Sequence, residues 1–88
     1  MMKRIRSHVF RGRRWKIEYS RMRNADGLCD PPNLPEKTLT LRSGLTGRDA
    51  VEVAIHEGLH ACLWDLDETT VEETARDITA LLVRIGLV

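Results

Sequence analysis

The sequence predicts an α+β domain in which a small antiparallel or mixed sheet packs on two helices. Two stretches, around Trp15 to Tyr19 and Lys37 to Arg42, alternate apolar and polar residues with the period of a half-buried strand. Two later stretches, 50–64 and 71–85, repeat apolar residues at helical spacings, and glycine and proline punctuate the chain between the two patterns. The 88 residues allow one domain, 1–88, with a small core, at a size where a bound metal or a partner subunit would add to stability.

Residues 1–13 are too polar to assign with the same force, but Val9 can begin a strand that pairs with the next one, the Gly12 region being the turn. Trp15, Ile17 and Tyr19 then alternate with Lys16, Glu18 and Ser20. Asn24-Ala25-Asp26-Gly27 breaks the pattern, and the proline-rich run from Cys29 to Pro35 reads as a rigid connection without a regular ladder of backbone donors. Lys37 to Arg42 is the second strand, with Leu39 and Leu41 on one face and Thr38 and Thr40 on the other. Its shortness and charged flanks predict an edge position.

Asp49, with Glu52 three residues later, predicts the cap of a helix from about Ala50 to Trp64. So few of its positions are polar that it should lie centrally, packed on the sheet and on another helix. Thr70 and Glu73 form a second capping-box pattern, opening a helix from about Val71 to Ile85 with Gly86 as terminator. Its expected apolar stripe is Val71, Ala75, Ile78, Leu82 and Ile85.

Charge is distributed unevenly. Residues 1–24 carry nine basic side chains against one acid, and twelve acids face five bases from residue 25 onward. The segment 1–24 is thus a basic strand or arm, suited to nucleic acid or to an acidic surface of this or another subunit. Few aromatics accompany the charges, so base stacking has little to work with. No apolar run approaches membrane-spanning length. Cys29 and Cys62 lack close pair spacing and no secretory leader is evident, so the expected setting is reducing and cytoplasmic.

The chemistry concentrates in His56-Glu57-Gly58-Leu59-His60. Two imidazoles four residues apart on a helix point from one face and can reach one metal ion, and the adjacent Glu57 can hold a water against that metal. A third ligand is needed. Glu73, at the start of the next helix, is the expected one, with Glu72 as its immediate competitor; Asp77 lies four residues further along. Glu73 can also be explained as part of its own helix cap.

These residues, His56 to His60 followed by Glu73-Thr74-Ala75-Arg76-Asp77, resemble the zinc metallopeptidases of the gluzincin type, the thermolysin-like group. The resemblance covers mainly residues 37–85. It implies a minimal zincin-like core with Zn2+ on His56, His60 and Glu73, Glu57 as general base, Asp77 supporting a ligand histidine, and substrate backbone along the edge strand Leu39, Thr40 and Leu41. The separation of the two motifs is short for that family, and no later segment is present to supply its substrate-binding subdomain. Tyr19 and His8 are candidate donors for a developing oxyanion. The leading expectation is zinc-dependent hydrolysis of peptide or amide bonds in a peptide or protein substrate. A non-catalytic zinc-stabilised module that binds protein or nucleic acid is the alternative, and the same ligands also suit a facial iron site.

Overall fold

The structure, a computed structural model, describes residues 2–88, so Met1 of the basic N-terminal segment lies outside the described residues. Strand β1 (Ser7–Phe10) turns into β2 (Arg13–Ser20) through Arg11 and Gly12, whose φ values of 49° and 79° are both left-handed. A two-residue hairpin turn with this twist needs positive φ at both positions, which glycine adopts freely and arginine does not. Ser7 pairs with Lys16 and Phe10 with Arg13, and the expected hairpin at Val9 is present.

Strand β3 (Gly27–Cys29) forms where the sequence suggested only a turn and a rigid connection, and β4 (Thr38–Arg42) follows it. The sheet order is β1-β2-β4-β3, with β4 parallel to β2 and antiparallel to β3. The sheet is therefore mixed, and the expected edge strand is not an edge: Leu39, Thr40 and Leu41 are paired on both sides. Short length and charged flanks describe β4 correctly but do not decide its place, because a three-residue neighbour suffices to cover it.

Trp15, Ile17, Leu39 and Leu41 from the sheet pack with Ala61 of helix α1 (Gly47–Cys62) to form the core. Trp15 is fully buried, and its indole N–H donates to the Asp30 carbonyl at 3.1 Å, so the polar atom of the largest core side chain is satisfied. Helix α1 touches β1, β3, β4 and a second helix, α2 (Glu68–Arg84), and thus holds the expected central position. Among the described residues α2 packs on α1 alone.

Both helices start earlier than their capping patterns suggest. Thr46 is the N-cap of α1, and Asp49 lies in its first turn. Asp67 caps α2, its carboxylate accepting from the Thr70 backbone N–H at 2.7 Å and from the Thr70 hydroxyl at 3.0 Å. These bonds hold the Asp67 carboxyl below its usual range. The buried stripe of α2 is Val71, Ala75 and Thr79, with the Thr79 hydroxyl donating to the Ala75 carbonyl at 2.7 Å. Ile78 and Ile85, expected in that stripe, are exposed. No described helix is long and apolar enough to cross a membrane. Cys29 and Cys62 are free thiols.

Candidate metal centre

The earlier start of α2 decides which acid reaches the histidines. With Asp67 as cap, Glu68 is the first helical residue and its carboxylate meets the imidazole face of α1. His56 Nε2 lies 2.8 Å from Glu68 Oε1, and His60 Nε2 lies 3.1 Å from Glu68 Oε2. The two rings stand 5.0 Å apart in an edge-to-face arrangement, as the spacing of four requires. One donor atom from each of His56, His60 and Glu68 lies within 4.8 Å of the others, so this group could hold a metal ion.

The structure does not bring Glu73 into that group. At about 100° per residue, Glu73 stands about 140° around α2 from Glu68 and Asp77 about 180°. Both are exposed, and Asp77 lies 3.4 Å from the Arg76 guanidinium rather than against an imidazole. Glu72, the competitor, is nearer: it shares a cleft with His56, Glu57 and Glu68. Glu68 was hidden in the sequence because the Thr70–Glu73 pattern outweighed the Asp67 cap, which places Glu68 on the acid-favouring first turn.

Glu57 is 5% exposed, the only buried ionisable side chain among the described residues. It follows His56 on α1 and so turns from the imidazole face toward β3. Gly27 lies directly over it: a Cβ built there would come within 2.6 Å of Glu57 Cγ and 2.8 Å of Oε2. Only glycine leaves room for this carboxylate under the strand. Burial pushes the Glu57 carboxyl up to about 7, the His56 imidazole partly offsetting this and Glu68 adding to it. Cys29, on the same strand, is raised to about 12, first by burial and then by the Glu57 and Asp30 carboxylates. It is thus a poor thiolate ligand or nucleophile.

A cleft of about 270 Å³ opens between α1 and β3, lined by Gly27 to Cys29, His56, Glu57, His60, Trp64 and Glu68. The indole of Trp64 walls it, 6.0 Å from the His60 ring. The strand at this cleft is β3, which has β4 on one side and, among the described residues, no strand on the other. The Asp26 carbonyl accepts from the Arg42 N–H at 2.8 Å and the Asp30 N–H donates to the Thr38 carbonyl at 3.0 Å. By the alternation of an antiparallel ladder, the backbone groups of Gly27 and Cys29 face the open edge. Tyr19 and His8 do not line the cleft; they border a separate cavity with Met2, Ile17 and Leu39, and the Tyr19 hydroxyl accepts from the Ile5 N–H at 3.1 Å.

Comparison with protein-family models, with curated proteins and with solved structures found no match.

Proposed function

We propose that the protein is a zinc-dependent hydrolase of peptide or amide bonds, with zinc on His56, His60 and Glu68. The observation that carries this reading is the convergence of both imidazoles on one carboxylate beside the buried Glu57. Two nitrogens and one oxygen suit zinc and leave a fourth position open. Tetrahedral bonds of about 2.0–2.1 Å imply ligand separations of about 3.3 Å; the three donor atoms lie within 4.8 Å of one another, so the side chains would draw together around a bound ion. When bound, zinc would polarise a carbonyl and activate water.

The chain's own residues supply the rest. Glu57 has the position to accept a proton at a carboxylate oxygen and return it to a leaving amine, since it lines the cleft next to His56. Gly27 and Cys29 have backbone donors and acceptors at an open edge, so β3 rather than β4 would align an extended peptide. Trp64 and β3 line the cleft beside the two histidines.

Protein purified without an affinity tag should contain one zinc per chain. E57Q should retain that zinc and lose turnover of a peptide library read by mass spectrometry. Identical product profiles for wild type and E57Q would defeat the catalytic role. A second reading, a zinc-stabilised module that binds an acidic partner such as nucleic acid, draws on the exposed Arg6, Arg13, Arg14 and Lys16 around the β1–β2 hairpin. It requires binding to labelled single-stranded or duplex nucleic acid that falls steeply with salt while metal content stays constant.

A further inference from the structure

Three clefts adjoin one another along α1. The first, of about 350 Å³, is bordered by Ala25, Asp26 and Gly27 of the chain entering β3, and by Glu52 and Glu72 of the two helices. The second is the metal cleft, which shares Gly27, His56, Glu57 and Glu68 with the first. The third, of about 420 Å³, lies at the far end of α1, where Pro32, Arg11, Arg13 and Trp64 border it; Trp64 is common to it and the metal cleft. Together they form a trough that follows α1 from Glu52 and the chain beyond it to Asp65, and β3 with its flanking residues from Ala25 to Pro32, in the same direction.

The two ends of this trough carry opposite charge. At the first end Asp26 is already engaged by Arg42 at 3.1 Å, but Glu52 and Glu72 have no ion pair among the described residues. At the other end Arg11 and Arg13 face a single acid, Asp65, and neither arginine is in an ion pair among the described residues. Arg11 is held in place: it occupies the left-handed turn position at φ 49°, and its guanidinium donates to the Cys62 carbonyl at 3.0 Å, at the last turn of α1. Between the ends, Glu57 is almost fully buried and borders both the acidic cleft and the metal cleft.

We infer that this trough reads the charge order of an extended peptide, taking acidic residues on the N-terminal side of the metal-facing bond and basic residues on its C-terminal side. The order follows from strand direction. A peptide paired with β3 in the slightly more stable antiparallel sense runs from the Pro32 end toward the Ala25 end, and the residues that precede the paired stretch would pass Trp64 and Pro32 into the cleft at the end of α1. Its N-terminal residues then meet Arg11 and Arg13, and its C-terminal residues meet Glu52 and Glu72. The apolar floor at the arginine end, with Phe10, Ala61 and Leu63, favours a neighbouring apolar residue on the same side of the bond.

The inference rests on the trough being the peptide site of the proposed hydrolase, and a binding measurement separates it from turnover. Labelled peptides with acidic residues N-terminal and lysines C-terminal to a central apolar pair, their charge-reversed counterparts, and neutral versions are titrated by fluorescence polarisation into zinc-loaded E57Q. The acid-first peptides should bind about 10-fold more tightly than the reversed ones at low salt, the gap narrowing as salt is added. R13E combined with E72K should invert the preference. Equal binding of all three sets, a preference for the reversed order, or no binding to any set would overturn the inference. Cleavage by wild type without charge preference would leave the hydrolase reading intact and remove this one. Charge-ordered binding without cleavage would do the opposite.

Discussion

The β1–β2 hairpin and β3 lie at opposite edges of one sheet and against one helix, yet they are built to different ends. The hairpin fills space: Trp15 and Ile17 are buried, Phe10 packs edge-on against Trp15 at 5.6 Å between ring centroids, and the indole N–H has its acceptor. Strand β3 leaves space. Three residues long, it places a glycine toward α1, and a carboxylate occupies the volume under it. Apolar packing is concentrated at one edge and a buried carboxylate at the other. A single α1 serves both, with Ala61 toward the hairpin side of the core and Glu57 toward β3.

The largest expected effect lies on the hairpin side. W15A should cost about 3–5 kcal/mol of stability, the range for removing a buried aromatic side chain, because Trp15 is fully enclosed. Denaturant unfolding measures it, and zinc affinity of the molecules that remain folded should be unchanged. A loss below about 1 kcal/mol would mean that the hairpin edge is not the stabilising one.

Glu57 should behave in the contrary sense. Its folded carboxyl titrates at about 7, above the usual 4.5, so the folded state holds this proton more tightly than the unfolded chain does. With metal removed by a chelator, stability should be highest below pH 4.5, decline as pH rises to 7, and level off above it. The decline corresponds to about 3 kcal/mol, from 1.36 kcal/mol per pH interval of one. E57Q should lack it and, metal-free at neutral pH, be more stable than wild type. Parallel stability–pH curves for the two proteins would contradict the burial of this charge.

G27A sharpens the comparison further. The added Cβ meets Glu57 Cγ at 2.6 Å, so either β3 or the carboxylate must move. We expect a stability loss of about 1–3 kcal/mol, typical of overpacking, with hydrolysis reduced more than zinc binding. In the double variant G27A/E57A the stability loss should largely disappear, and persistence of the full loss would place its cause elsewhere. The smallest expected effect is that of D67A. It removes the cap that starts α2 at Glu68, and should weaken zinc binding and fray the first turn without unfolding the core; unchanged zinc affinity would separate the cap from the site.

The same two edges differ in how far the sequence discloses them. The hairpin and β4 are legible because Trp15, Ile17, Leu39 and Leu41 alternate with polar residues, and one buried face imposes that period. Strand β3 is not, since three residues between a glycine turn and two prolines carry no period, and its pairing with β4 comes from tertiary placement. That placement also makes β4 internal, which nothing local to Leu39–Leu41 could indicate. The histidine pair and Glu57 are legible from helical spacing alone. The third metal-binding candidate is not, because two caps compete within four residues: Asp67 closes on Thr70, and the helix gains the turn that carries Glu68 toward His56 and His60. Helix periodicity then turns Glu73 and Asp77 away with the same shift.

The carboxylate proposed to complete the metal centre is Glu68, the first residue of α2. Zinc titration of E68A and E73A, followed by X-ray absorption of the zinc-loaded proteins, tests that assignment most directly. E73A should bind one zinc with wild-type affinity and an unchanged spectrum, whereas E68A should lose affinity and one light-atom ligand. A wild-type spectrum and affinity in E68A, with loss in E73A, would contradict the account and return the third ligand to the position that the sequence pattern alone suggests.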